Sequence, residues 1–241
     1  MRYKTGLNLA KIYSQNFTAP KRKKKYIKFI IIHYTGMKKE SDAIKRLCNP
    51  NSKVSAHYFI KNNGQILILV PETYIAWHAG KSSWKSYKSL NKYSIGIEIS
   101  NPGHTNNYKN FSNKQIVSVK RLVKFLIKKY NIKVENLLGH SDIAPSRKVD
   151  PGEKFPWKKL SIYNLGKWFK KKPNNFSQNK KKIEILFFKN LKKIGYKYFN
   201  LTKRNATDRR VIKSFQLHYL PKNVTGKIDK KTHEISHFLA K

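Results

Sequence analysis

The sequence predicts an α/β protein, a mixed central β-sheet flanked by helices, followed by a small all-α domain of three helices. Three observations carry this expectation. Residues 26–33 (YIKFIIIH) are β-branched, aromatic and nearly continuous in their apolar half, as suits a strand buried on both faces. Residues 57–60 and 65–70 flank Asn62, Asn63 and Gly64, which tolerate positive φ, so they read as a β-hairpin. Residues 112–130 repeat apolar side chains at helical spacing. A hairpin combined with a doubly buried strand and helices points to a mixed sheet with helices on its faces.

Taken in order, residues 1–25 read as an N-terminal extension, and the strand over 26–33 belongs in mid-sheet. Residues 94–100 (SIGIEIS) alternate, placing Ile95, Ile97 and Ile99 on one face and Gly96 and Glu98 on the other. Ser112 and Gln115 form a capping box at the start of the long helix, whose stripe is Ile116, Val119, Leu122, Val123, Leu126 and Ile127. Residues 136–138 make a short apolar entry to Gly139 and His140, and the stretch on to Trp157 has the Pro and Gly content of a shaped loop. The main domain is therefore expected over 26–169, and a polar linker over 170–182 (KKKPNNFSQNKKK). Helical patterns follow at 183–194 (ending at Gly195), 207–219 (capped by Thr207) and 229–239 (capped by Asp229). Val211, Ile212, Phe215, Leu217 and Leu220 can bury a small core of their own within a domain over 183–241.

The 241 residues include 53 basic and 12 acidic side chains, a formal charge of +41, which attracts any polyanion in a salt-dependent way. The lysines are spread along the chain, with short clusters only at 21–25, 170–172 and 180–182. Such spreading describes solvated faces, so no specific nucleic-acid partner is expected. Cys48 is the lone cysteine, which excludes intrachain disulfides and cysteine-rich zinc sites and leaves any metal to histidine and carboxylate. The first 20 residues lack a signal-peptide core and no stretch has the length of a membrane span. A cytoplasmic monomer is the expectation, with the cell envelope as the alternative if a leader has been lost.

Histidines and carboxylates that stand where strands end are candidate metal ligands, because a rigid scaffold then aims them. His33 closes the first predicted strand, His140 follows the short apolar entry, and Asp150 precedes Pro151 and Gly152. A catalytic zinc takes three such ligands and keeps one position open. Each residue also has an ordinary reading, His33 as a hydrogen-bonded core histidine, His140 as a loop residue and Asp150 as a turn-former before proline. The residues taken singly leave both readings open.

Their surroundings form a pattern. Ile32-His33-Tyr34-Thr35, Ser55-Ala56-His57-Tyr58, Ala76-Trp77-His78-Ala79-Gly80, Ser94-Ile95-Gly96-Ile97-Glu98 and Gly139-His140-Ser141-Asp142-Ile143-Ala144-Pro145, continuing through Arg147-Lys148-Val149-Asp150-Pro151-Gly152, stand in this order over about residues 26–168. The pattern resembles the type 2 N-acetylmuramoyl-L-alanine amidase family of the AmiD and AmpD kind, which shares its fold with the peptidoglycan recognition proteins. The resemblance implies a Zn2+ ion on His33, His140 and Asp150, Glu98 and Lys148 as the catalytic pair, and peptidoglycan or muropeptides as the partner. It implies hydrolysis of the amide between the lactyl group of N-acetylmuramic acid and the L-Ala of the stem peptide. In active recognition proteins a tyrosine precedes the histidine equivalent to His57; here Ala56 stands there, which leaves the proton work to Glu98. His57 reads as structural, or as a residue orienting a metal ligand. Trp77, His78, Ala79 and Gly80 are expected to line the groove, with Tyr34, Trp84 and Asn101 in the same cleft and Arg147 facing a stem carboxylate. The tail, through Val211-Ile212-Lys213-Ser214-Phe215-Gln216 and the segment from Thr225 to Thr232, resembles a three-helix peptidoglycan-binding module.

Overall fold

The structure, a computed structural model, describes Leu7, residues 9–170 and residues 180–241. Most of the expected linker at 170–182 lies outside the described residues. The strands are β1 (Leu9–Lys11), β2 (Phe17–Thr18), β3 (Phe29–Tyr34), β4 (Tyr58–Ile60), β5 (Ile66–Ile68), β6 (Ile75–Ala76), β7 (Ser83–Trp84), β8 (Tyr87–Lys88), β9 (Ser94–Ile99) and β10 (Leu137–Gly139). The α-helices are α1 (Glu40–Cys48), α2 (Asn113–Tyr130), α3 (His140–Ile143), α4 (Trp157–Ile162), α5 (Lys180–Ile194), α6 (Asp208–Tyr219) and α7 (Lys230–Leu239).

Six strands form the main sheet in the order β1-β5-β4-β9-β3-β10. Only the β4–β5 hairpin is antiparallel in it; the other neighbours run parallel. The mixed sheet and the hairpin are those the sequence predicts. The first buried strand starts later than predicted, because Lys24–Tyr26 form a 3-10 turn that leaves Tyr26 exposed. The segment read as an N-terminal extension belongs to the sheet system: β1 adds parallel to β5 at the edge, and β2 pairs with β6.

Alternation along β3 decides what each sheet face carries. Ile30 and Ile32 join Ile95, Ile97 and Ile99 in a core with Val119, Leu122, Val123 and Leu126 of α2. That helix begins with the predicted capping box, Ser112 accepting from the Gln115 N–H and the Gln115 side chain accepting from the Ser112 N–H. Phe29 and Ile31 point the other way, as do Gly96 and Glu98 by parity, and this second face is where His33 projects.

The C-terminal helices do not enclose a separate core. Phe187, Phe188, Leu191, Val211, Ile212, Phe215, Ile235 and Leu239 share one apolar cluster with Phe29, Ile31, Leu138 and Ile143 of the sheet and its loops. Asp229 caps α7 by accepting from the Thr232 N–H at 2.7 Å. Thr207 does not cap α6: it is itself helical, and Asn205 Oδ1 accepts from its N–H at 2.8 Å. Among the described residues no helix is long and apolar enough to cross a membrane.

Candidate metal centre

Three buried side chains converge at the end of the sheet. His33 is the fifth of the six residues of β3, His140 begins α3 directly after β10, and Asp150 ends the loop that returns beside it. The backbone closes this loop, since the Ser141 N–H donates to Asp150 O at 2.8 Å. Gly139 permits the approach: a Cβ there would lie 2.8 Å from Pro151 Cδ.

The facing atoms are His33 Nδ1, His140 Nδ1 and Asp150 Oδ2. Their separations are 3.0 Å between the nitrogens and 3.1 Å from each nitrogen to the oxygen. A tetrahedral ion with bonds of about 2.0–2.1 Å sets its ligand atoms about 3.3 Å apart, so a small divalent cation fits against this triangle with one position left open.

The other ring nitrogens fix the tautomers that this requires. His140 Nε2 lies 3.2 Å from Ala79 O, a pure acceptor, so Nε2 carries the proton and Nδ1 is free. A chain does the same for His33. Ser94 Oγ donates to Leu90 O at 2.6 Å and accepts from His78 Nε2 at 3.2 Å; His78 Nδ1 then accepts from His33 Nε2 at 3.1 Å. Burial, with His140 next in weight, lowers the His33 pKa to about 4, and burial also holds His78 well below the usual imidazole range. Burial opposes ionisation of Asp150, yet His140 and His33 beside it keep its carboxyl well below the ordinary value. Two neutral imidazoles and one carboxylate are the ligand states a divalent metal takes.

Glu98 is paired in register with His33 across β3 and β9. Its Oε2 is sealed from solvent and has no hydrogen-bond partner among the described residues. Burial, then the charge of Asp150, pushes its pKa up to about 8, while Lys148 pulls the other way. Lys148 is half-buried and is positioned by its backbone N–H on Ala144 O.

Several expected groove residues have other tasks. His78 is buried behind His33 as its hydrogen-bond partner, not on a substrate wall. Ala79 is fully buried and serves through its carbonyl, which accepts from both His140 and Arg147. Trp84 is 2 % exposed and packs against Tyr196 because the C-terminal helices cover it, which removes it from the cleft. Asn101 is buried and ties loops together, accepting from the Gly103 N–H and donating to Lys109 O. Arg147 directs Nε to Lys81 O and a terminal nitrogen to the Lys81 and Ala79 carbonyls, so the fork expected to meet a stem carboxylate holds backbone. Neither ring nitrogen of His57 bonds a candidate metal ligand: Nδ1 accepts from the Gly96 N–H, and Nε2 faces Tyr74 O and the Arg22 guanidinium. Trp77 stays half-buried with its indole N–H on Thr18 Oγ1, Gly80 is exposed, and Tyr34 bonds His104 Nδ1 at 2.8 Å.

The sequence reading missed the supports of the ligands, above all Ser94 and the role of His78. A signal was available in Gly96, a glycine inside a strand, which marks a close approach. A Cβ at Gly96 would stand 2.4 Å from the His78 ring.

A mostly parallel sheet that presents two histidines and, from a returning loop, an aspartate beside a buried glutamate is a frame on which a metal could be held for hydrolysis. The family model described as N-acetylmuramoyl-L-alanine amidase matches residues 22–153, and the chain belongs to that family. It is 36% identical over 232 residues to the N-acetylmuramoyl-L-alanine amidase AmiD of Escherichia coli K12, covering 88% of this chain and 82% of AmiD. The solved complex of Escherichia coli AmiD with anhydro-N-acetylmuramic acid-L-Ala-D-gamma-Glu-L-Lys superposes with a TM-score of 0.78 at 33% identity, covering 89% of this chain and 88% of that one. AmpDH3 from Pseudomonas aeruginosa superposes with a TM-score of 0.78 at 29% identity, covering 92% and 93%.

Proposed function

We propose that the chain is a zinc-dependent N-acetylmuramoyl-L-alanine amidase, hydrolysing the amide between the lactyl group of N-acetylmuramic acid and the L-Ala of the stem peptide. The observation that carries this reading is the buried triangle of His33, His140 and Asp150 with Glu98 Oε2 unpartnered on the neighbouring strand. The solved AmiD complex holds an anhydromuropeptide containing that linkage, in a relative that covers most of this chain. His33, His140 and Asp150 would hold the ion, which supplies Lewis acidity to the scissile carbonyl and to the attacking water.

The remaining steps belong to the chain's own side chains. Glu98 Oε2 accepts the proton of the attacking water, a task suited to a buried carboxylate oxygen that no other group among the described residues engages. The same proton then goes to the departing L-Ala nitrogen, so the carboxylate ends as it began. Lys148 offers its ammonium to the oxygen that becomes negative as the carbonyl carbon turns tetrahedral, a contact worth on the order of 3 kcal/mol. Trp77, half-buried, gives the mouth an apolar wall beside the exposed Gly80.

The test is cleavage of anhydro-N-acetylmuramic acid tripeptide by the purified protein, followed by mass spectrometry. Free stem peptide with an N-terminal L-Ala is expected, lost on chelation and restored by zinc. Binding of the muropeptide without release of peptide, in zinc-replete protein, overturns the reading in favour of recognition alone.

A further inference from the structure

Asp142 lies two residues beyond His140 and is fully buried. Among the described residues its carboxylate accepts three hydrogen bonds, from two parts of the molecule. Oδ2 accepts from the Gly139 N–H at 2.7 Å, within the turn that launches His140. The same oxygen accepts from His218 Nδ1 at 2.7 Å, and Oδ1 accepts from the Tyr196 hydroxyl at 2.5 Å. His218 is on α6 and Tyr196 follows α5, so two of the three donors belong to the C-terminal helices.

His218 is held as firmly as it holds. Its ring stacks on Trp157 at 3.9 Å and 17° and on Tyr219 at 4.0 Å and 11° between centroids and planes. Tyr196 is fully buried against Trp84. A buried carboxylate that loses a donor must find another or move. The only group of its own loop that Asp142 engages is the Gly139 N–H, so a rotation of the carboxylate frees the backbone immediately before His140. That backbone also carries the Ser141 N–H bond to Asp150 O, which sets the spacing of two of the three ligand atoms.

We propose that His218 and Tyr196 are positioning residues for the metal centre: through Asp142 they fix the turn that aims His140 and Asp150, so the C-terminal helices complete the site. This rests on the zinc reading above. It assigns the helices a task inside the enzyme that does not depend on their binding the cell wall.

The experiment compares zinc affinity, by competition with a chromophoric chelator, and the visible spectrum of the cobalt-loaded protein in the full-length chain. His218→Phe keeps a flat ring between Trp157 and Tyr219 and removes the donor; His218→Asn restores an N–H near the position of Nδ1. Tyr196→Phe removes one hydroxyl and serves where His218→Phe does not fold. Expected is a roughly 10-fold or greater loss of zinc affinity with an altered cobalt spectrum in His218→Phe, a smaller loss in Tyr196→Phe, and recovery in His218→Asn. Wild-type affinity and spectrum in folded His218→Phe, or in Tyr196→Phe if the former does not fold, overturn the proposal. Wild-type protein that binds no zinc, or that keeps its zinc after His33→Ala, overturns the zinc reading instead, so the two failures are distinguishable.

Discussion

Two groups of buried histidines lie side by side in this molecule, and they differ in one respect. His57 has both ring nitrogens engaged, one with the Gly96 N–H and the other facing Tyr74 O and Arg22. His33 and His140 each have one nitrogen engaged, with His78 and with Ala79 O, and each turns the other toward Asp150. Burial and the nearby Arg22 charge hold His57 neutral, and burial does the same for His33. Depressed basicity therefore does not separate a ligand from a structural histidine here; the unengaged, convergent nitrogen does.

The comparison breaks first at the ligands. His140→Ala should remove bound zinc and reduce amidase activity to background while leaving the fold intact, because the residue's packing is small beside the two sheet cores. Zinc content by atomic absorption beside turnover of the anhydromuropeptide checks this. A His140→Ala protein that retained stoichiometric zinc would show that the triangle is not the metal site. Next in size is Glu98→Gln, which keeps shape and removes the proton acceptor. A fall in kcat of about 10²–10⁴-fold with KM and zinc content nearly unchanged is expected. An equal rise in KM would instead make Glu98 a binding residue.

His57→Ala gives the contrasting outcome. It leaves the Gly96 N–H without its acceptor and the Tyr74 carbonyl without its donor, at a cost of about 2–3 kcal/mol in urea denaturation. Zinc content and activity of the folded fraction should stay at wild-type level. Loss of zinc without loss of stability would place His57 among the residues that act on the metal and remove the distinction drawn above.

The same contrast explains how much could be read from the chain beforehand. His33, His140 and Asp150 are legible because each stands at a strand end or loop with a recognisable neighbourhood, and β3 and β9 alternate cleanly. The stripe of α6 announces a buried helix, but a helical period reports that a face is covered and not what covers it. That ambiguity lets Val211 and Phe215 read as the core of a separate domain, whereas they share one apolar cluster with Phe29 and Ile31. Sequence neighbourhood alone points Trp84 and Asn101 to the cleft. Their burial is decided by residues far along the chain, Tyr196 for Trp84, and by loop closure around Lys109 for Asn101. β1 was invisible because three residues carry no period.

The smallest effect tests whether Glu98 and the histidines oppose each other in the metal-free protein. The Glu98 pKa is raised from 4.5 to about 8, so between those values the folded chain holds a proton that the unfolded chain has released. Its contribution to stability is fully present below pH 4.5 and is lost as pH rises through about 8. His33, lowered from 6.5 to about 4, has the opposite sign: the unfolded chain binds the extra proton, and stability is lost as pH falls below 6.5. His57 and His78 act in the same direction as His33. The two trends meet near pH 6.5, and above it only the glutamate contributes among these four. Urea denaturation of chelator-treated protein should therefore show stability falling by on the order of 1 kcal/mol from pH 6.5 to 8. Glu98→Gln should abolish that fall and leave the loss below pH 6.5 in place. An unchanged slope above pH 6.5 in Glu98→Gln would mean that the carboxylate is already ionised at neutral pH in the metal-free protein.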